Sequence, residues 1–398
     1  MICKVTKKKL KPFMSFGKMP IANGFLKKKN MNKEYFFKME VGFSRDVSLF
    51  QLNDHPKPKM MFNKNYPFFT GSSKSMISHF KEYANWIKKN YLKDKKILME
   101  IGSNDGTFLQ NFKKNKIFSI GIEPSANVAN LSRKKGINTK NCFFDYKNVK
   151  KMKKIHKKTD LICAANAICH IPNIIDLIKS VDCLLNKKGL FIFEEPYLGA
   201  MYEKTSYDQI YDEHIFMFSV SSVMKIFKLY NFDLINVVPQ KTHGGSMRYV
   251  VGRSKQHKIN KNVSKFLRIE KRKKIDTIDG CLKFKKQCET SKKKLRNKIY
   301  GILKRGKKIA GYAATSKSTT ILNYCGINKK HIDFICDTTP NKIGTYSPGT
   351  HIPIVSIDHF RKNIPEYTFL FAWNHKNEIF LKEKKILNKT NWFAHVKI

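Results

Sequence analysis

Glu100-Ile101-Gly102-Ser103-Asn104-Asp105-Gly106-Thr107 is the stretch on which the fold turns. It follows the apolar run Lys96-Ile97-Leu98-Met99 and reads as a strand-to-helix turn. Gly102 and Gly106 let the backbone bend tightly and lie close to a ligand. The next apolar run, Phe118 to Ile122, ends in Glu123, about twenty residues on, where a carboxylate can take both hydroxyls of a ribose. The glycine spacing is not GxGxxG, which counts against NAD. An E-x-G-x-x-D-G loop with an acid ending the second strand is instead the pattern of S-adenosylmethionine (SAM) enzymes; the plain alternative is an ordinary strand-to-helix turn. Glu100, Gly102, Asn104, Asp105, Gly106 and Glu123 are the expected cofactor contacts, joined by Asn166 beyond the third strand.

The pattern repeats outward from this turn. Asp160–Ala165 and Leu190–Glu194 are further apolar strands, and a helix is predicted over Met76–Tyr91, with Phe80, Ala84 and Ile87 on one face. Apolar strands spaced by helices mean a parallel sheet covered on both faces. Phe232–Val238 and Ser246–Arg253 read as a closing antiparallel hairpin. Ile278, Cys281, Cys288, Leu295, Ile299 and Ile302 recur at helical spacing within the charged stretch 258–304. A second α/β pattern then begins at Lys307–Tyr312, with later strands at Ile332–Cys336 and Thr368–Ala372. Residues 1–72 read as irregular. The expected division is 1–72, 73–253 and 254–398.

The chain has 398 residues, enough for two or three domains of roughly 100–200 residues. A 41% hydrophobic and 12% aromatic content supplies real cores and excludes wholesale disorder. No apolar run approaches the ~18 residues of a membrane span. Met1–Thr6 passes straight into Lys7-Lys8-Lys9, unlike a secretory signal. The nine cysteines form no CxxC, which fits a reduced, cytoplasmic chain. The net charge of +48 would attract nucleic acid or anionic membrane if it were concentrated on one face. The lysines are spread along the whole chain, beside abundant Asn, Ile and Phe, as an AT-rich genome imposes. No specific nucleic acid and no membrane are therefore expected as partners.

Ligands of such sheets bind beyond the carboxyl ends of the strands. Asn166-Ala167-Ile168-Cys169-His170-Ile171 follows the third strand there, and Tyr197–His214 follows the fourth. The run Tyr207-Asp208-Gln209-Ile210-Tyr211-Asp212-Glu213-His214 is dense in proton-transfer groups. Gly311–Thr320 is another strand-to-helix loop, where helix N–H groups and Lys317 can cradle a diphosphate; it lacks the Walker order. Trp373-Asn374-His375 follows a late strand and either lines the same cleft or packs in the core.

These segments, with Ile122–Ala129, Cys169-His170-Ile171-Pro172, Thr242-His243-Gly244-Gly245-Ser246-Met247-Arg248-Tyr249 and Lys317-Ser318-Thr319-Thr320, resemble the sugar C-methyltransferases, the nucleotide-sugar 3-C-methyltransferases of branched deoxysugar pathways. The resemblance runs over nearly the whole chain. It implies a class I SAM-dependent methyltransferase domain with a Rossmann-like sheet, a small N-terminal zinc-binding domain and a C-terminal Rossmann-like domain for the nucleotide-sugar. It implies a 4-keto sugar on a nucleoside diphosphate, methylated at C3 through an enolate. It also implies catalytic roles for His214, Glu213, Tyr211 and His170, with His214 as base, and substrate contacts from Tyr66, His243, Gly244, Arg248, Lys317, Ser318 and Thr319. The competing readings are an O- or N-methyltransferase with the same cofactor loop and a basic binding protein without catalysis.

The chain departs from that family at the zinc site. The family places two CxxC pairs where this sequence reads Cys3-Lys4-Val5-Thr6 and Ser44-Arg45-Asp46-Val47. One thiolate cannot hold a structural zinc, so a metal-free N-terminal domain, packed through Phe13, Phe25, Phe37 and Phe50, is expected.

Overall fold

The computed structural model describes residues 1–92, 97–113, 117–155 and 158–398. Lys96, at the expected start of the first parallel strand, lies outside them. The chain opens with β1 (Pro12–Pro20), β2 (Phe36–Ser44) and β3 (Leu49–Leu52). Its central part supplies β4 (Ile97–Ile101), β5 (Phe118–Ile122), β6 (Thr139–Lys140), β7 (Thr159–Ala165), β8 (Leu185–Pro196), β9 (Phe216–Met217), β10 (Phe232–Gln240) and β11 (Ser246–Arg253). Its last part supplies β12 (Ile309–Tyr312), β13 (Ile335–Asp337), β14 (Ile354–Ser356), β15 (Tyr367–Leu370) and β16 (Asn391–Phe393).

The central sheet runs β10-β11-β8-β7-β4-β5-β6. From β8 to β6 the neighbours are parallel, and β11 and β10 close the sheet as the expected antiparallel hairpin. Leu98, Met99 and Ile101, Leu161 to Cys163, and Leu190 to Phe193 are all buried, as strands covered on both faces require. Helix α1 (Lys74–Tyr91), capped by Ser73, buries Phe80, Ala84 and Ile87 against one face. The helix expected after the Gly102–Gly106 turn is only a 3-10 turn, Leu109–Phe112, whose Leu109 and Phe112 anchor in the core under α1. Strand order reverses between β4 and β7. The loops leaving these two strands part there and open a crevice.

The charged stretch folds as α2 (Lys261–Arg272) and the long α3 (Ile278–Lys304). Cys281, Cys288, Leu295, Ile299 and Ile302 form the buried stripe of α3. The C-terminal sheet, β14-β13-β12-β15-β16, is parallel throughout. It reverses between β12 and β15, so α4 (Ser316–Cys325), which follows β12, begins at a second crevice. No described helix is long and apolar enough to cross a membrane.

The first 72 residues are not irregular. β1, β2 and β3 pair antiparallel, and β9 extends the same sheet through Phe50↔Met217. In β1 two register shifts interrupt the alternation, which hides the strand from a period-two reading. In β2 the alternation survives at Phe37, Met39 and Val41, all buried. The sheet therefore draws a strand from beyond residue 72. Phe13 and Phe50 meet edge to face at 5.0 Å, and Phe50 in turn meets Phe284 of α3 at 6.2 Å. Phe37 is buried in the same cluster, with Phe25 partly buried against it.

The residues at the zinc positions do not fit a tetrahedral thiolate site. The Cys3 Sγ accepts the N–H of Thr6 at 3.4 Å, and Cys3 is buried with Val5, Val47 and Leu49 in one apolar cluster. Val47 brings a methyl pair where a thiolate belongs, and Ser44, three residues before it, is buried as well. His55 turns its Nδ1 to the carbonyl of Pro56 at 2.9 Å. Elemental analysis of purified, tag-free protein is expected to find well under one zinc per chain. One tightly bound equivalent would mean that other ligands have replaced the cysteines.

Candidate active site

The crevice between β4 and β7 leads into a cavity of about 780 Å³. Gly102, Asn104, Glu123 and Asn166 line it. Gly102 sits at φ +69, and a Cβ there would stand 2.6 Å from that of Ala167. Only glycine lets the loop after β4 lie so close to the loop after β7. The buried Glu123 carboxylate accepts the N–H of Asn104 on Oε2 at 3.0 Å and that of Ser125 on Oε1 at 2.7 Å. Burial pushes this carboxyl up, against the pull of those amides. Asn104 accepts the Thr70 N–H and donates to the Phe68 carbonyl, which ties the end of the N-terminal region over the loop. Asn166 stands at φ +52, and its Oδ1 is buried without a partner.

Three expected cofactor contacts stand behind this lining instead. Asp105 accepts from Gly71 N–H and Lys135 Nζ on Oδ2 and from the Thr107 hydroxyl on Oδ1. A Cβ on Gly106 would meet Ser132 Oγ at 2.6 Å. Glu100 is fully enclosed, and burial together with Asp105 and Glu123 pushes its carboxyl well up. These residues shape the loop from inside.

The structure brings Tyr66, His170, Tyr211, Glu213 and His214 together. The His214 Nδ1 lies 2.7 Å from the backbone oxygen of Gln209. A carbonyl only accepts, so Nδ1 carries the proton and Nε2 keeps its lone pair, facing the Tyr211 hydroxyl at 2.7 Å. Burial, with His170, His243 and Lys317 nearby, holds His214 well below the ordinary histidine range, so it is neutral at pH 7. Its ring stacks on His170 with centroids 5.3 Å apart, and His170 stacks in turn on Phe62. His170 lines the cavity, its Nε2 is buried without a partner, and burial lowers it to about 3. Glu213 does not touch His214. Its Oε1 accepts from Asn23 Nδ2 at 2.7 Å and its Oε2 from the Tyr66 hydroxyl at 3.3 Å. Burial pushes Glu213 and its neighbour Asp212 up. Desolvation and these carboxyls push the Tyr66 and Tyr211 hydroxyls up as well, so both tyrosines remain proton donors.

His243 also lines the cavity, with a buried, unpartnered Nε2. Gly244 lies against Trp373 so closely that a Cβ would stand 2.1 Å from the ring. Lys317 Nζ lies 5.4 Å from the centre of the same ring and donates to Asn374 Oδ1 at 3.1 Å. Burial brings its amine down to about 8. The β12–β15 crevice thus adjoins the first through residues 243 and 244. Ser318 and Thr319 do not offer their hydroxyls to it: Ser318 donates to the Thr315 carbonyl as part of the helix cap, and Thr319 donates to the carbonyl of Ala22. Arg248 is corrected too. It lies in β11 with its guanidinium on Glu194 and between the rings of Tyr83 and Trp86, centroids 4.0 and 4.3 Å away. Its charge is spent on Glu194, and Arg248 is not among the residues that line the cavity.

Three family models match in tandem: "Putative zinc binding domain" over residues 3–62, "Methyltransferase domain" over 76–237 and "C-methyltransferase C-terminal domain" over 241–396. The C-methyltransferase NovU of Streptomyces niveus is 28% identical over 383 residues, which are 96% of this chain and 91% of that protein. These matches support a SAM-dependent C-methyltransferase. Solved structures similar to part of this C-methyltransferase include magnesium protoporphyrin IX methyltransferase from Synechocystis, 11% identical with a TM-score of 0.36 over 45% of this chain and 83% of that one. Another is a SAM-dependent methyltransferase from Clostridium acetobutylicum, 13% identical with a TM-score of 0.35 over 46% of this chain and 92% of that one.

The cavity of the C-methyltransferase fits its cofactor. Glu123 offers a buried carboxylate, Asn166 an orphaned amide oxygen, and Gly102 a surface that any side chain would fill. Two contributors escaped the sequence. Asn23 comes from a short turn 190 positions away from Glu213, and no local pattern marks it. Gln209 acts through its backbone carbonyl, which carries no side-chain signature.

Proposed function

We propose that this C-methyltransferase acts on a nucleotide-linked 4-keto sugar and methylates C3, with His214 as the general base. The observation that carries this reading is the fixed tautomer of a neutral, buried His214, whose Nε2 lone pair faces a tyrosine hydroxyl. A hydrogen on C3 is acidified by the C4 ketone. His214 Nε2 takes that proton, and the C–H electron pair moves into the ring to make an enolate. Tyr211, released from His214, donates to the developing oxygen charge, a preorganised donor of the oxyanion-hole kind. When bound, SAM supplies the electrophilic methyl group that the enolate carbon accepts. Asn23 and Tyr66 hold Glu213 away from His214 and leave its carboxyl to a substrate hydroxyl. Lys317, with Asn374 and Trp373, faces the diphosphate.

The 4-keto sugar explains why a base is needed at all, since an O- or N-methyltransferase would not require one strong enough to make an enolate. Incubation with methyl-labelled SAM and a panel of nucleoside diphosphate 4-keto sugars, read by NMR, is expected to put the label on ring carbon C3. Label on oxygen or nitrogen would replace this reading with the simpler transfer.

A further inference from the structure

We infer that Glu195 is a positioning residue that sets the loop carrying Asn166 and His170. It stands on β8 and is fully buried. Its Oε1 accepts three successive backbone N–H groups, those of Ala167 at 3.1 Å, Ile168 at 2.7 Å and Cys169 at 3.3 Å. A single carboxylate oxygen facing three amides in a row makes a nest closed from inside the chain rather than by a ligand. Hydrogen bonds to a charged acceptor are the strong kind, so the loop after β7 has one preferred shape.

That shape reaches both halves of the site. At the loop's start, Asn166 turns its amide into the cavity; at its end, His170 stacks on His214. The carbonyl of Cys169 also accepts the N–H of Ile215 at 3.0 Å, so the same loop fixes the backbone that follows the base. Glu194, one residue earlier, serves the opposite face through His79 and Arg248. The Cys169 thiol lies against the same carboxylate and, with the amides, favours its charged form. The titratable groups around the clamp are the Cys169 thiol, the Tyr249 hydroxyl, Glu213 beyond Cys169, and the His170–His214 stack. Burial outweighs the three amides and raises the carboxyl to about 7. The clamp is therefore charged and strong above neutrality, and it weakens as the carboxyl gains a proton below it. His170 and His214 both sit lower, so neither titrates in that window.

The role rests on reading this cleft as the methyl-transfer centre, and the test separates the two. Glu195→Gln keeps the size and one acceptor but cannot ionise; Glu195→Asp keeps the charge on a shorter arm. In Glu195→Gln, hydrogen exchange of amides 167–169 is expected to speed up, and SAM binding to weaken about three- to tenfold because Asn166 loses its support. Methyl transfer is expected to fall further, about 10- to 100-fold in kcat, because His170 and the backbone after His214 lose theirs too. The acid limb near pH 7 should vanish from the Gln variant and persist in the Asp variant, which recovers part of the rate. Unchanged amide exchange, or a Gln variant with the wild-type rate and pH profile, overturns the role. If wild type methylates no keto sugar while exchange at 167–169 still responds to Gln, the substrate assignment fails and the clamp stands.

Discussion

His214→Asn is expected to lower kcat by about 10²–10⁴-fold, the usual contribution of a positioned general base, while SAM binding stays as in wild type. Asn can still donate to the Gln209 carbonyl that now holds Nδ1, so the local backbone has no reason to move. What it lacks is the Nε2 lone pair. The cleanest readout is wash-out of the C3 hydrogen into deuterated solvent, because that step precedes methyl transfer. Wild type should exchange the hydrogen when the cofactor is replaced by its demethylated product, and the Asn variant should not. His214 is held well below the ordinary range by burial, so its neutral form persists as the pH falls from 8 to about 6.5. A loss of rate in that interval therefore belongs to another group. If the Asn variant exchanges at the wild-type rate, His214 is not the base. His170, which lines the cavity with a free Nε2, becomes the candidate despite its low basicity.

The second large effect concerns Glu123. Glu123→Ala removes the acceptor offered to the cofactor ribose and strands the N–H groups of Asn104 and Ser125. Losing hydrogen bonds to a charged, buried acceptor costs about 1.5–3 kcal/mol, which is roughly a 10- to 150-fold weaker dissociation constant. Calorimetry with SAM reads this directly, and keto-sugar binding in the presence of saturating cofactor should be little affected. An Ala variant that binds SAM as tightly as wild type would remove Glu123 from the cofactor site.

The fold was legible where the physics is local. Apolar runs such as Asp160–Ala165 announce buried parallel strands because both of their faces need covering, and the stripe Cys281–Ile302 announces α3 through its period alone. The sheet of residues 12–52 was hidden because bulges in β1 break the alternation and because its last strand, β9, comes from more than 160 positions downstream. The site follows the same rule. Gly102 and Glu123 mark themselves by spacing. Asp105, Arg248, Ser318 and Thr319 have the right chemistry at the right sequence distance, yet their side chains are spent on partners inside the fold, and Glu100 is enclosed behind the lining. Which way a polar side chain turns depends on partners such as Glu194 for Arg248 or Ala22 for Thr319, and those lie far along the chain.

Ala22 and Asn23 join all three parts of the molecule. The Ala22 N–H is held by Asp212 and its carbonyl by Thr319 of α4, while Asn23 holds Glu213. One turn of the first region is thus the shared washer between the catalytic run and the C-terminal domain. Exchanging whole domains between relatives would break these contacts unless the turn travels with them. A transplanted C-terminal domain would arrive without the turn that fits it, and a central domain alone would keep its cofactor cleft but lose the grip on Glu213. Changes at this junction therefore call for matched residues from three distant stretches of the chain.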